Sequence, residues 1–249
     1  MSRTTAVLVT GAAGRIGRAA VRELVSRGYH VRAFDLVRAG GTDDVVVGSI
    51  TDPDVVRRAV TGIDVLIHLA ATPDDDDFVE KLAPNNLVGA YHVLEEARLA
   101  GVRKMVLSSS GQVVWWQRFT GPLPVKADAQ PSPRGWYAAT KLFQEAAGRA
   151  FAAQYGITVI AVRLGWCPRD RAQVEELGKT DWGPDVYFSP GDAGRFFACA
   201  VEAPASLRFE VVYAHSIPRA RVVYDPSPAR ELLGYEPRDT WPQGVEDGL

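Results

Sequence analysis

Tyr137 and Lys141 stand four residues apart in "WYAATK", residues 136–141. Four residues is about one helical turn, so on a helix the phenol and the ammonium share a face. A phenol titrates near ~10 and is a poor base at neutral pH, but a neighbouring cation favours its ionised form. Such a pair can take a proton from a substrate hydroxyl. The same spacing occurs on ordinary helix faces, and other residues must decide between the two readings. Upstream, "VTGAAGRIGRAA" sets Gly11, Gly14 and Gly17 where an apolar run passes into helical spacing. The first glycine permits a tight turn, the second lets a pyrophosphate approach the backbone, and the third lets the helix pack on the strand. The helix N-terminus then stabilises the anion. A plain tight turn is the competing reading. Asp35, 18 residues beyond Gly17, can accept hydrogen bonds from both ribose hydroxyls and repel a 2′-phosphate, which favours NAD over NADP. Arg15 and Arg38 lie near enough in sequence to weaken that preference.

These groups need a scaffold, and the chain alternates in a way that supplies one. "AVLVT" (6–10), "HVRAFD" (30–35), "VVVGSI" (45–50), "DVLIHLA" (64–70), "KMVLSSS" (104–110), "ITVIAVRLG" (157–165) and "EVVYAHS" (210–216) read as strands. Helical spacing follows the glycine motif up to Gly28 and runs from Pro53 to Gly62. It recurs through "NNLVGAYHVLEEARLAG", with Asn85 as the expected cap, and through "RGWYAATKLFQEAAGRAFAAQYG". Near-continuous Val, Ile and Leu in strands separated by helices imply an α/β fold, a Rossmann-type doubly wound parallel sheet with helices on both faces. Ligands then bind at the carboxyl edge of the strands. After residue 165 the alternation breaks down, with helical stretches over 170–180, 189–203 and 227–234. We therefore divide the chain into a nucleotide-binding core, 1–165, and a small discontinuous substrate cap with the last sheet elements, 166–249.

Bulk properties narrow the class. The 249 residues are 47% hydrophobic and 23% charged with a formal net charge of -2, so neither a nucleic-acid surface nor a polybasic membrane anchor is expected. The N-terminus lacks a signal-peptide apolar region, and no apolar run approaches the roughly 20 residues that span a bilayer. Two cysteines, Cys167 and Cys199, make neither a disulfide framework nor a zinc site. The expectation is a soluble cytoplasmic protein without a metal.

With glycine motif, sheet pattern and Tyr-Lys pair together, the chain resembles the extended short-chain dehydrogenase/reductase family, also called the NAD-dependent epimerase/dehydratase family. The resemblance rests on "TGAAGRIG", "DVLIHLAA", "NLVGAYHVLEEA", "VLSSSGQVV" and "YAATK", in that order, and on "ARELLGYEP" near the end. It implies that Tyr137 is the general acid/base, Lys141 its partner, Ser110 the hydroxyl that orients substrate, and Asn86 an organiser of the site. It also implies cofactor contacts from Gly11, Gly14, Arg15, Ile16, Gly17, Asp35, Ser49, Ile50, Leu69, Ala70, Ala71, Tyr137 and Lys141. In "GSITD", Ser49 stands where many members carry an aspartate that contacts adenine. "VRLGWCP" and the compact tail look most like the uronate dehydrogenases. The substrate side departs from them: Gly111, Gln112 and Val113 follow the serine, and Pro73 replaces a polar residue. Thr72, Gly111, Gln112, Trp166, Arg169 and Arg171 are the candidate substrate contacts, the two arginines for a carboxylate. The resemblance further implies a homodimer.

Several stretches carry two readings. "PDDDDF" (73–78) is a metal cluster or a solvated loop with a helix cap at the site mouth. "VVWWQRF" (113–119) is lid packing or a surface for stacking on a sugar face, and Trp136 and Trp166 pose the same question. His68 is a packed strand residue or a catalytic one; Cys167 is assigned no redox role. The function that absorbs most of these features is hydride transfer from a small sugar or sugar acid to NAD. An NAD-dependent epimerase or dehydratase of nucleotide sugars is the alternative, and a cofactor sensor without turnover a third. Gly111 and Gln112 replace the Asp-Glu pair usual in the family's dehydratases, and the intact Ser110, Tyr137 and Lys141 argue against a sensor.

Overall fold

The computed structural model describes residues 4–249. Seven strands, β1 (Ala6–Thr10), β2 (His30–Asp35), β3 (Val45–Val47), β4 (Val65–His68), β5 (Lys104–Ser110), β6 (Thr158–Leu164) and β7 (Phe209–Ala214), form one sheet. Its order is β3-β2-β1-β4-β5-β6-β7 and every pairing is parallel. The expected doubly wound sheet is therefore present. Chain order reverses between β1 and β4, which opens a crevice at the carboxyl edge there.

The strands show why both faces are covered. Successive side chains point to opposite faces. Val7, Val9, Ile67, Val106, Ile160 and Val162 enter one apolar layer, while Leu8, Leu66, Met105, Leu107 and Val159 enter the other. The first layer is closed by α1 (Arg15–Ser26) and α7 (Pro190–Glu202), the second by α2 (Pro53–Val60), α3 (Ala90–Leu99) and α5 (Trp136–Tyr155). Gly194 of α7 lies so close to α1 that an added Cβ would be 2.9 Å from the Ala19 carbonyl oxygen. Short α4 (Gln117–Thr120), α6 (Arg171–Lys179) and α8 (Ser227–Leu233) complete the helices.

Three details differ from the sequence reading. β3 is only Val45–Val47; after Gly48 the chain turns, and the Ser49 and Thr51 hydroxyls bond each other at 2.7 Å. The helix expected from Asn85 begins at Phe78, capped by Asp77, whose carboxylate accepts the Glu80 N–H. Pro84 lies inside this first part, which has π-helical spacing over Phe78–Gly89; a proline cannot donate to an α-helical ladder, and the wider winding accommodates it. Asn85 instead donates from its amide to the Thr72 hydroxyl at 2.9 Å. Among the described residues no helix is long and apolar enough to cross a membrane, and no His, Cys, Asp and Glu group could hold a metal.

Candidate active site

A cleft of about 910 Å³ runs along the carboxyl edge of the sheet, from the glycine motif to the segment after β6. At one end Gly11 has φ 69°, and a Cβ there would lie 2.7 Å from the Ala70 backbone nitrogen. A Cβ on Gly17 would lie 2.1 Å from the Gly11 carbonyl oxygen. Only glycine lets the turn sit this close to β4 and to the start of α1. Gly14 caps α1, exposing the helix N-terminus to the cleft. Asp35, the last residue of β2, accepts the Ala13 N–H at 2.8 Å and the Leu36 N–H at 2.7 Å, which holds its carboxylate at the cleft wall. Ile16, Ser49, Ile50, Leu69, Ala70 and Ala71 line the same end. A dinucleotide fits these residues: a glycine cradle for pyrophosphate, a carboxylate for ribose and apolar walls for the ring.

Arg15 also lines the cleft, but its guanidinium is committed elsewhere. It donates to the carbonyls of Pro168, Gly244, Val245 and Asp247, tying the C-terminal segment to the glycine motif. Arg38 is exposed and outside the cleft lining. Arg15 is thus engaged away from a 2′-phosphate, and Arg38 follows the cleft-lining Val37 at the surface.

At the other end Ser110, the last residue of β5, is hydrogen bonded to the Tyr137 phenol and accepts the Gln112 N–H at 3.1 Å. Tyr137 opens α5, and one turn on the buried Lys141 ammonium lies 5.5 Å from its ring centroid. Lys141 donates to the Ser108 hydroxyl at 3.4 Å and not to the phenol. The electrostatics are not those of a cation simply drawing down a phenol. Burial, then the Asp74 carboxylate, pushes the phenol well above its ordinary range, while Arg169 and the Ser110 bond oppose the rise. Lys141 itself is lowered to about 7 by burial. In the protein alone the pair is a firmly protonated phenol beside an ammonium that half-titrates near neutrality.

The residues that hold this pair in place were only partly visible in the sequence. Gly135 has no side chain to cap α5, and the cap comes from across the cleft: the Asp75 carboxylate accepts the Tyr137 N–H at 2.8 Å. A Cβ on Gly135 would lie 2.3 Å from that carboxylate. "PDDDDF" is a loop at the cleft mouth that carries the expected helix cap, at Asp77, and in addition engages the site. Asp74 pairs with Arg169 at 2.6 Å, Asp75 caps the tyrosine helix and Asp77 caps the next helix. Asn86 is buried outside the cleft lining. It clamps the Thr72 backbone at 2.7 and 3.0 Å and donates to the Thr140 hydroxyl, which bonds the Tyr137 carbonyl. It positions the Tyr137 turn through Thr140 and makes no hydrogen bond to Lys141.

Among the candidate substrate contacts, Gly111, Gln112, Trp166 and Arg169 line the cleft. Thr72 and Arg171 do not: Thr72 is held by Asn85 and Asn86, and Arg171 pairs with Glu246 at 2.7 Å. His68 is fully buried, bonds Thr10 at 2.8 Å and is lowered to about 3 by burial and then Lys141, so it is a neutral strand residue. Burial pushes the Cys167 thiol up to about 11, which leaves it inert. Trp136 is exposed and packs on Phe78. Trp115, Trp182, Arg118, Arg134 and Tyr224 also line the substrate end; Trp115 and Arg118 fell within the stretch 113–119 singled out from sequence, and Arg134, Trp182 and Tyr224 did not.

Residues 7–166 match the NAD dependent epimerase/dehydratase family. The chain is 29% identical to L-arabinose 1-dehydrogenase (NAD(P)(+)) of Haloferax volcanii, over 96% of this chain and 99% of that protein. It is also 29% identical to an NAD-dependent glucose-6-phosphate dehydrogenase of the same organism, over 94% of this chain and 93% of that one. Among solved structures, a mutant uronate dehydrogenase from Agrobacterium tumefaciens complexed with NAD superposes with a TM-score of 0.77 at 27% identity, covering 95% of this chain and 86% of that chain. The glycine cradle, the Ser110–Tyr137 bond and the seven-stranded sheet accord with these matches, and the chain belongs to the NAD dependent epimerase/dehydratase family.

Proposed function

We propose that this protein is an NAD-dependent oxidoreductase acting on a hydroxyl-bearing carbon of a small sugar or sugar acid. The observation that carries the reading is the continuity of one cleft: the glycine cradle and Asp35 at one end, the Ser110–Tyr137 hydrogen bond at the other. Gly11, Gly14, Gly17 and Asp35 would hold NAD, which supplies the hydride acceptor when bound. Ser110 orients the substrate hydroxyl, Tyr137 takes its proton, and Lys141 supplies the positive charge one turn away. Segments after residue 165 supply the far wall of the substrate end through Trp166, Arg169 and Trp182. The named dehydrogenases among the relatives support the choice of sugar substrates.

Purified protein with NAD and a panel of aldoses, uronates and nucleotide sugars tests the reading through NADH absorbance. Net NADH from a free sugar or sugar acid supports it. Interconversion of nucleotide sugars without net NADH would replace it with the epimerase reading. Asp35→Ala should raise the KM for NAD by about 10–100-fold, the loss of a charged hydrogen-bond acceptor, and narrow the preference over NADP. An unchanged NAD KM would take Asp35 out of the cofactor site.

The reading extends to a cytoplasmic homodimer. Val88 and Tyr91, flanking the start of α3, and Phe143 of α5 are exposed apolar side chains on the two adjoining helical segments of one layer, a face that a second copy would cover. Sedimentation should give twice the chain mass at micromolar protein; a monomer throughout would remove this part.

A further inference from the structure

The substrate end contains a cation that, among the described residues, has no carboxylate partner. Arg118 is 9% exposed, and its guanidinium carbon lies 3.5 Å from the Trp115 ring centroid and 3.7 Å from that of Trp182. The two rings meet edge to face, so the guanidinium sits in an aromatic corner that lines the cleft. It bonds the Tyr224 phenol, while its Nε and Nη2 have no hydrogen-bond partner. Aromatic faces attract a cation but do not satisfy its N–H donors. A buried arginine ordinarily has a carboxylate; among the described residues this one has none. Burial lowers it only to about 10, so it stays charged at neutral pH.

Its surroundings point toward the chemistry of what it would bind. On Trp115 a second guanidinium, that of Arg134, stacks at 4.3 Å, again without an ion pair among the described residues. Both arginines line the cleft. A Cβ on Gly111 would lie 2.5 Å from the Tyr224 hydroxyl, so the Arg118–Tyr224 pair abuts the residue directly after Ser110. The carboxylates of the same wall are largely engaged, Asp74 by Arg169 and Asp75 by the Tyr137 N–H, and Glu176 is exposed.

We propose that Arg118, supported by Arg134, is the specificity residue of this site and receives an oxyanion of the substrate, a carboxylate or a phosphate. The proposal rests on the oxidoreductase reading for the identity of the ligand as substrate. It places the anion-binding group on the segment after β5, not on the arginines after β6. Arg169 is neutralised by Asp74, and Arg171 lies outside the cleft. The hydroxyls of a neutral sugar can accept from the guanidinium but leave its buried charge unmatched, so an anionic sugar is the preferred class.

Calorimetric binding of glucuronate, glucose 6-phosphate and glucose to the NADH-loaded protein reads the site without turnover. At least one anionic sugar should bind at least about tenfold more tightly than glucose, and the better of the two identifies carboxylate or phosphate. Arg118→Met should weaken that sugar by about 10–100-fold with NADH affinity kept. Arg118→Lys, which keeps charge but loses the fork, should fall between. In turnover the anionic-to-neutral ratio of kcat/KM should drop by the same factor. Equal binding of glucose and the anions, no binding of either anion, or anion binding unchanged in both variants would overturn the proposal. Anion binding that disappears in Arg118→Met, in a protein that oxidises no sugar, would keep the oxyanion site and remove the dehydrogenase. NADH formation from sugars at a ratio untouched by Arg118→Met would do the reverse.

Discussion

Tyr137→Phe should lose about 10²–10⁴ in kcat, the usual range for a positioned acid–base group, while binding NAD as before. The ring that lines the cleft remains; only the hydroxyl bonded to Ser110 is removed. Ser110 keeps its bond from the Gln112 N–H, so the loss is confined to proton transfer. The pH profile carries the sign of the phenol's environment. Burial and Asp74 hold the hydroxyl protonated through neutral pH, so sugar oxidation, which needs the base form, should accelerate as pH rises. Reduction needs the acid form, which is already present across the neutral range. In Tyr137→Phe the rise with pH should disappear from whatever activity is left. Turnover within a few-fold of the wild type would take the role away from Tyr137.

Residues whose neighbours lie close in sequence were legible from sequence; those with partners across the cleft were not. Strand periodicity and the glycine spacing specify the sheet and the cofactor end, because a β1-turn-α1 unit is local. Reading Asn85 as a cap misplaced the start of the helix before α3, and Pro84 just ahead of it agreed with that reading. A proline reads as a helix breaker and an asparagine as a cap, and only π-helical winding around Pro84 lets the helix begin seven residues earlier, at Phe78. Asp75 could not be recognised as the cap of α5, since its partner is 62 residues away. The signal available was indirect: Gly135 offers no capping side chain where α5 must start. Arg118 sat inside a stretch weighed only for its tryptophans, as lid packing or as a surface for a sugar face. Its place between Trp115 and Trp182, without a carboxylate among the described residues, depends on a ring contributed from beyond β6.

Lys141→Met should abolish efficient turnover and at the same time stabilise the fold. Lys141 is 1% exposed, among the described residues hydrogen bonds the Ser108 hydroxyl at 3.4 Å and no carboxylate, and lies near a neutral His68 that offers it no charge. Removing a buried charge for an apolar chain of similar volume is often stabilising by about 1–4 kcal/mol, which for a chain of this size corresponds to a rise in Tm of roughly 2–4 °C per kcal/mol. The pH dependence separates this cause from better packing. The folded-state pKa of Lys141 is lowered to about 7, below its unfolded value. Between those two values the unfolded chain binds more protons, so wild-type stability climbs as pH rises through that window, and the burden of the buried charge is full below about pH 7. In Lys141→Met this group's contribution to the climb is absent, so the gain in Tm should be largest at or below about pH 7 and shrink toward about pH 10. A Tm gain independent of pH would mean packing, and a lower Tm would mean that the ammonium is held by partners this geometry does not contain. Loss of turnover with a gain in stability is the signature of a group retained for chemistry against the preference of the fold, and it would mark Lys141 as part of the proton-transfer set and not of the core.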